Sequence, residues 1–182
     1  MKKRELEAAL RTVVDPALRA QGFTYSARWR RGWYRDVRAG QSVGVWFQVA
    51  PTTATYLLDG SARGVLESVR CDVGFGPPGR YMYNVAGLEN TMRTPLQFLD
   101  PVHRQTLAAE ALQRVCVNAR ELGADVSAEH REFIALTAGA DDMYFPVDGL
   151  ATLRAWWDAI RPAVNLAVAA TLDEVHATHA EP

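Results

Sequence analysis

Two cysteines, four histidines and almost no net charge limit what this chain of 182 residues can be. Cys71 and Cys116 stand far apart and outside any Cys-x-x-Cys pattern, which excludes a disulfide framework and a four-cysteine metal site. Both read as buried thiols of a reducing compartment, so a cytoplasmic protein is expected. A formal net charge of −1 does not provide the broad positive field of a dedicated nucleic-acid binder. No run approaches the ~18 apolar residues that a membrane span needs. The start, MKKRELEAAL, follows its charges with Glu5 and Glu7 instead of an apolar core, so no signal peptide is expected.

Catalytic and metal motifs are equally sparse. There is no Gly-x-Ser-x-Gly elbow and no His-Glu-x-x-His pair. Gly74-Phe-Gly76-Pro-Pro-Gly79 lacks the lysine and following helix of a phosphate loop and reads as a turn. His176 and His179 lie one helical turn apart, as metal ligands can, but no third ligand is near in sequence. His103 and His130 fall near helix starts and read as surface residues. Asp141, Asp142 and Asp148 cluster without the spacing of a calcium loop, and Asp148 is placed to cap a helix. No metal or cofactor is expected and no catalytic residue is assigned. A hydrolase with a dispersed site involving Asp141, Asp142 and His130 stays open, because such members need not be close in sequence.

What is present is an ordinary share of apolar residues, 48%, with 23% charged, enough for a sizeable core. No internal repeat or linker divides the chain. One domain over residues 1–182 is expected, with a helix and a sheet in 1–86 and a helical part in 100–178. Leu6, Leu10, Val13 or Val14, and Leu18 recur at helical spacing from Lys3 to Gln21. Pro16 predicts a kink or a restart capped by Asp15. Gly22 ends the helix in the left-handed conformation, with Phe23 as the apolar contact beyond it.

The period then changes to two. Phe23, Tyr25, Ala27, Trp29 and Trp33 predict a first strand, and Arg38 to Gln41 a turn. Val43, Val45, Phe47 and Val49 predict a second strand with that face inward. A third strand spans about Val65 to Phe75, and Arg80 to Val85 is a short fourth. Residues 86–99 read as irregular. Asp100-Pro101 opens a helix reaching about Leu122, and Ser127 opens a shorter one ending near Gly139. Ala140 to Val147 reads as a loop. A last helix runs from Asp148, kinks at Pro162 and frays from His176. This order predicts an α+β fold: an N-terminal helix, a three- to four-stranded antiparallel sheet, and C-terminal helices packed on one face.

Asp15-Pro-Ala-Leu-Arg-Ala-Gln-Gly-Phe23, then Trp29-Arg-Arg-Gly-Trp-Tyr-Arg35 and Val45-Trp-Phe-Gln-Val49, resemble an uncharacterised bacterial family, domain of unknown function 4304. The similarity covers about residues 6–76, and Tyr144 to Val175 as a closing helix. It implies a helix leading into an antiparallel sheet, and it brings no activity or catalytic residues to carry over.

The segment from Trp29 to Val49 holds the densest mixture of aromatic and basic residues. Arg28, Arg30, Arg31, Arg35 and Arg38 interleave with Trp29, Trp33 and Tyr34. Such pairs hold single-stranded nucleic acid, with cations on phosphates and rings under bases. The plainer reading is a half-buried strand whose Trp residues fill the core and whose Arg residues stack or pair. Trp46 and Gln48 have the parity opposite to Val43, Val45 and Phe47, which makes them surface candidates; Arg28, Arg30, Tyr34, Trp46 and Gln48 form the candidate binding set. The expected function is a non-enzymatic protein-interaction or accessory domain, immunity-like, with another protein as partner. A nucleic-acid-binding module using the same hairpin is the alternative, and no membrane partner is expected.

Overall fold

Two stretches of backbone alternation decide the architecture: Gln41–Pro51 and Glu67–Gly76 pair antiparallel over ten registered positions, from Ser42 opposite Gly76 to Pro51 opposite Glu67. The structure is a computed structural model that describes residues 2–28, 32–51, 67–77, 91–121, 127–128, 131–132 and 144–177. Its elements are α1 (Lys3–Arg19), β1 (Thr24–Ser26), β2 (Gly32–Arg38), β3 (Gln41–Pro51), β4 (Glu67–Gly76), β5 (Thr91–Arg93), a 3₁₀ turn (Pro95–Phe98), α2 (Pro101–Glu121), β6 (Phe145–Val147) and α3 (Leu150–Ala177). The fold class is the expected α+β one. The sheet runs β1-β2-β3-β4-β5, with β6 pairing β4 beside β5, and every pairing is antiparallel.

Among the described residues the sheet therefore has six strands instead of three or four. The first expected strand is in fact a hairpin, with Thr24, Tyr25 and Ser26 opposite Tyr34, Trp33 and Gly32. The expected loop before the last helix contains β6, which carries Pro146. Strand β6 pairs only on its β4 side among the described residues, so a proline without an N–H fits there. Strand β5 lies in the stretch read as irregular. The fourth strand at 80–85, Trp29 to Arg31, Leu122, His130, Asp141, Asp142 and His179 lie outside the described residues. Of the helix opened by Ser127, one described bond remains, Arg131 N–H to the Ser127 carbonyl at 2.9 Å.

Helix α1 buries Leu6, Leu10, Val14 and Leu18, which fits the expected stripe and selects Val14 over Val13. At its start Lys2 N–H donates to Glu5 Oε2 at 2.9 Å. At its end Gly22 takes φ +83°, Gly22 N–H meets the Arg19 carbonyl at 2.9 Å and Phe23 N–H meets the Leu18 carbonyl at 3.1 Å. That is the Schellman pattern, and a side chain at Gly22 would oppose it. The helix continues through Pro16 without a restart. Asp15 does not cap; its carboxylate accepts from Trp33 Nε1 at 2.8 Å and pairs with Arg19.

Helix α2 starts as Asp100-Pro101 predicts, with Val102 and His103 N–H groups donating to Asp100 Oδ1 at 2.9 and 3.1 Å. A hydrogen bond from the His103 ring, followed by these N–H groups, holds the Asp100 carboxyl below its ordinary value. This cap's contribution is in place at neutral pH and is lost as pH falls through the lowered value. Helix α3 is continuous through Pro162, which sits on its exposed side. Its inward stripe includes Leu153, Trp156, Trp157, Ile160, Val164 and Val168. No helix among the described residues is long and apolar enough to cross a membrane.

Helices α1 and α3 cover one face of the sheet. There Val43, Val45, Phe47 and Val49 of β3 stand opposite Phe75, Val73, Cys71 and Val69 of β4. Burial, then the neighbouring Asp72 charge, pushes the Cys71 thiol well up, which keeps it protonated and unreactive. The other face carries Tyr34, Ser42, Trp46, Gln48, Ser68, Arg70 and Asp72, and most of it is also withdrawn from solvent.

Candidate functional site

The first three turns of α1 hang over one end of the helix-covered face and leave a cleft of about 760 Å³. Lys3, Arg4, Glu7 and Arg11 line it from the helix, spaced so that they follow one side of α1 next to the buried Leu6–Leu10 stripe. Tyr25 of β1, Trp33 of β2, and Phe47 and Val49 of β3 line it from the sheet. Lys3, Arg4 and Arg11 are exposed, and among the described residues none of them forms an ion pair.

Ring contacts and one hydrogen bond hold the floor in place. Tyr25 and Trp33 are direct cross-strand partners, with ring centroids 5.0 Å apart at 62°. Trp33 meets Phe47 edge-to-face at 5.6 Å, and Phe47 meets Trp157 at 5.9 Å and Trp156 at 6.1 Å. Such contacts add to simple area burial. The Asp15 hydrogen bond fixes the indole of Trp33 from the α1 side. On the rim, the Arg11 guanidinium lies 4.4 Å from the Tyr25 ring centroid, a cation–π contact that orients it beside the opening.

The residues singled out from sequence are placed differently. Arg28 is exposed, one residue beyond Ala27 at the cleft wall. Arg30 lies outside the described residues. Trp46 has the face its parity predicts, opposite Val45, yet it is only 1% exposed and clusters with Tyr34, itself 6% exposed. Both are core residues of the second face, not surface residues. Gln48 is on the same face and half-buried, and it enters a polar chain. Tyr144 O–H donates to Gln48 Oε1 at 2.8 Å, Gln48 Nε2 donates to Asp72 Oδ2 at 2.7 Å, and Arg70 donates twice to Asp72 Oδ1 at 2.9 and 2.8 Å. Asp72 is 0% exposed and Arg70 13%. Both carboxylate oxygens accept hydrogen bonds, so the group ties β3, β4 and Tyr144 together.

No family model, curated protein or solved structure matches the chain significantly. Among the described residues no group of three His, Cys, Asp or Glu side chains is placed to hold a metal ion. Asp148 is engaged instead: it accepts from Thr152 Oγ1 and from Arg114 of α2 at 2.8 Å, tying two helices together. What the cleft can do is bind, with cations around an apolar floor. The sequence reading passed over Lys3, Arg4 and Arg11, although their position beside the Leu6–Leu10 stripe was visible. That stripe marks which side of α1 meets the sheet, and so which cations border it.

Proposed function

We propose that this protein is a binding domain that engages another protein through the cleft between α1 and the sheet, in an accessory, immunity-like role. One observation carries the reading: an open cleft joins an apolar aromatic floor to an exposed rim with three cations among the described residues. Aromatic and arginine side chains are the types enriched where proteins meet. Two free thiols, Cys71 and Cys116, support a cytoplasmic setting. The family resemblance supplies no activity to transfer, so the reading rests on the cleft.

The nucleic-acid alternative is less well supported. Stacking needs free ring faces. Trp33 is 1% exposed and Trp46 is buried with Tyr34, while a guanidinium occupies a position over Tyr25. Ala27 is exposed and lines the cleft, so Ala27→Trp fills it without disturbing the core. Cross-linking in native lysate followed by mass spectrometry is expected to recover a partner with the natural chain and not with Ala27→Trp. A partner retained by that variant, or a shifted oligonucleotide in its place, would count against the proposal.

A further inference from the structure

We infer that the cleft accepts an acidic segment of the partner protein, seated by one apolar side chain; this rests on the protein-binding reading above. The argument begins with charge. Among the described residues, three exposed cations line the opening against a single lining carboxylate, Glu7. Like charges gathered at one rim repel one another and favour an approaching anion. A basic or neutral segment would leave that repulsion uncompensated, so the rim selects against it.

Arginine chemistry narrows the anion. Arg4 and Arg11 each present a planar fork of donors that matches a carboxylate. The Tyr25 ring, 4.4 Å from the Arg11 guanidinium, restrains it, so less freedom is lost when a carboxylate binds.

Size and floor narrow the rest. A volume near 760 Å³ lies within the range of ~300–1,000 Å³ that encloses a compact ligand. It fits a few residues of a segment, not the face of a domain. Leu10, Phe47 and Val49 offer the apolar wall against which one leucine or aromatic side chain loses its contact with water. The carboxylates on either side of that anchor then meet Lys3, Arg4 and Arg11.

The test uses the full chain and a fluorescein-labelled dodecapeptide in which Asp and Glu flank a central Leu-Phe pair, read by fluorescence anisotropy. Saturable binding is expected, weakening about tenfold as salt rises from ~50 to ~300 mM. Arg4→Glu combined with Arg11→Glu is expected to weaken it at least about tenfold while the chain stays folded, and replacing Leu-Phe by Ser-Ser to do the same. No saturation up to roughly 1 mM peptide, or binding indifferent to the two reversals, overturns the inference. If the peptide fails while Ala27→Trp still abolishes partner capture, the acidic inference falls and the protein-binding reading stands. If a labelled oligothymidylate binds in its place, both fall. If the chain self-associates in sedimentation and the reversals abolish it, the occupant is a second copy and the peptide inference falls.

Discussion

On one face of the sheet, charge is spent internally; on the other, it is held out toward solvent. Arg70, Asp72, Gln48 and Tyr144 form a continuous chain of hydrogen bonds, with the carboxylate fully buried. Lys3, Arg4 and Arg11 stand at the mouth of a cleft over Tyr25, Trp33 and Phe47. The same residue types thus serve opposite ends. A buried ion pair gives little net stability against an apolar substitute, but losing one partner strands the other. An exposed cation contributes little to folding and much to recognition. The first face reads as structural, and the proposed binding belongs to the second.

The largest expected effect is on the sealed face. Asp72→Ala takes the carboxylate from Arg70 and Gln48 and should reduce unfolding free energy by about 3–5 kcal/mol in urea titration. A loss below ~1 kcal/mol would mean the network is not structural. Gly32→Ala comes next. A Cβ there would lie 3.0 Å from Trp46 Cβ, the Tyr34 hydroxyl and the Val45 carbonyl, so overpacking of about 1–3 kcal/mol is expected. Tolerance of alanine would show that the Tyr34–Trp46 layer is loosely packed.

Asp15→Ala tests how α1 is tied to the floor of the cleft. It leaves the Trp33 indole N–H without its acceptor, which should cost about 1–2 kcal/mol and alter tryptophan fluorescence. Asp15→Asn keeps an acceptor and should recover most of both. The smallest stability effect is expected on the rim. Arg4→Glu with Arg11→Glu should cost no more than ~1 kcal/mol of unfolding free energy, through the lost Tyr25 contact, while removing peptide binding. A large loss of stability there would erase the distinction between the two faces.

Elements that depend on local chemistry were legible in the sequence. Leu6, Leu10, Val14 and Leu18 mark α1, and Gly22 with Phe23 marks its end, because both signals act within a few residues. The alternation in β3 and β4 is long enough to state which side chains share a face. Parity could not separate one strand from a hairpin. Thr24 pairs with Tyr34 and Tyr25 with Trp33, so residues of equal parity fall on one face across the turn as well as along a strand.

Parity also gives a face and not its cover. Trp46 points where expected, yet its burial depends on the whole layer around it. Gln48 finds Tyr144 from 96 positions away, a pairing no local pattern announces. Strand β6 is three residues with a proline, too short to show a period. The rim cations were visible as a stripe on α1. The cleft was not, because its floor comes from β1, β2 and β3 packed beneath that helix.

The most direct test is a map of amide and indole NMR shifts as the acidic dodecapeptide is added to the full chain. The account predicts changes at Lys3, Arg4, Glu7, Arg11, Tyr25, Ala27, Phe47 and Val49, with the Trp33 indole responding and the Trp46 indole, Arg70, Asp72 and Tyr144 still. Shifts centred on Gln48, Arg70 and Tyr144, or none at saturating peptide, would contradict it.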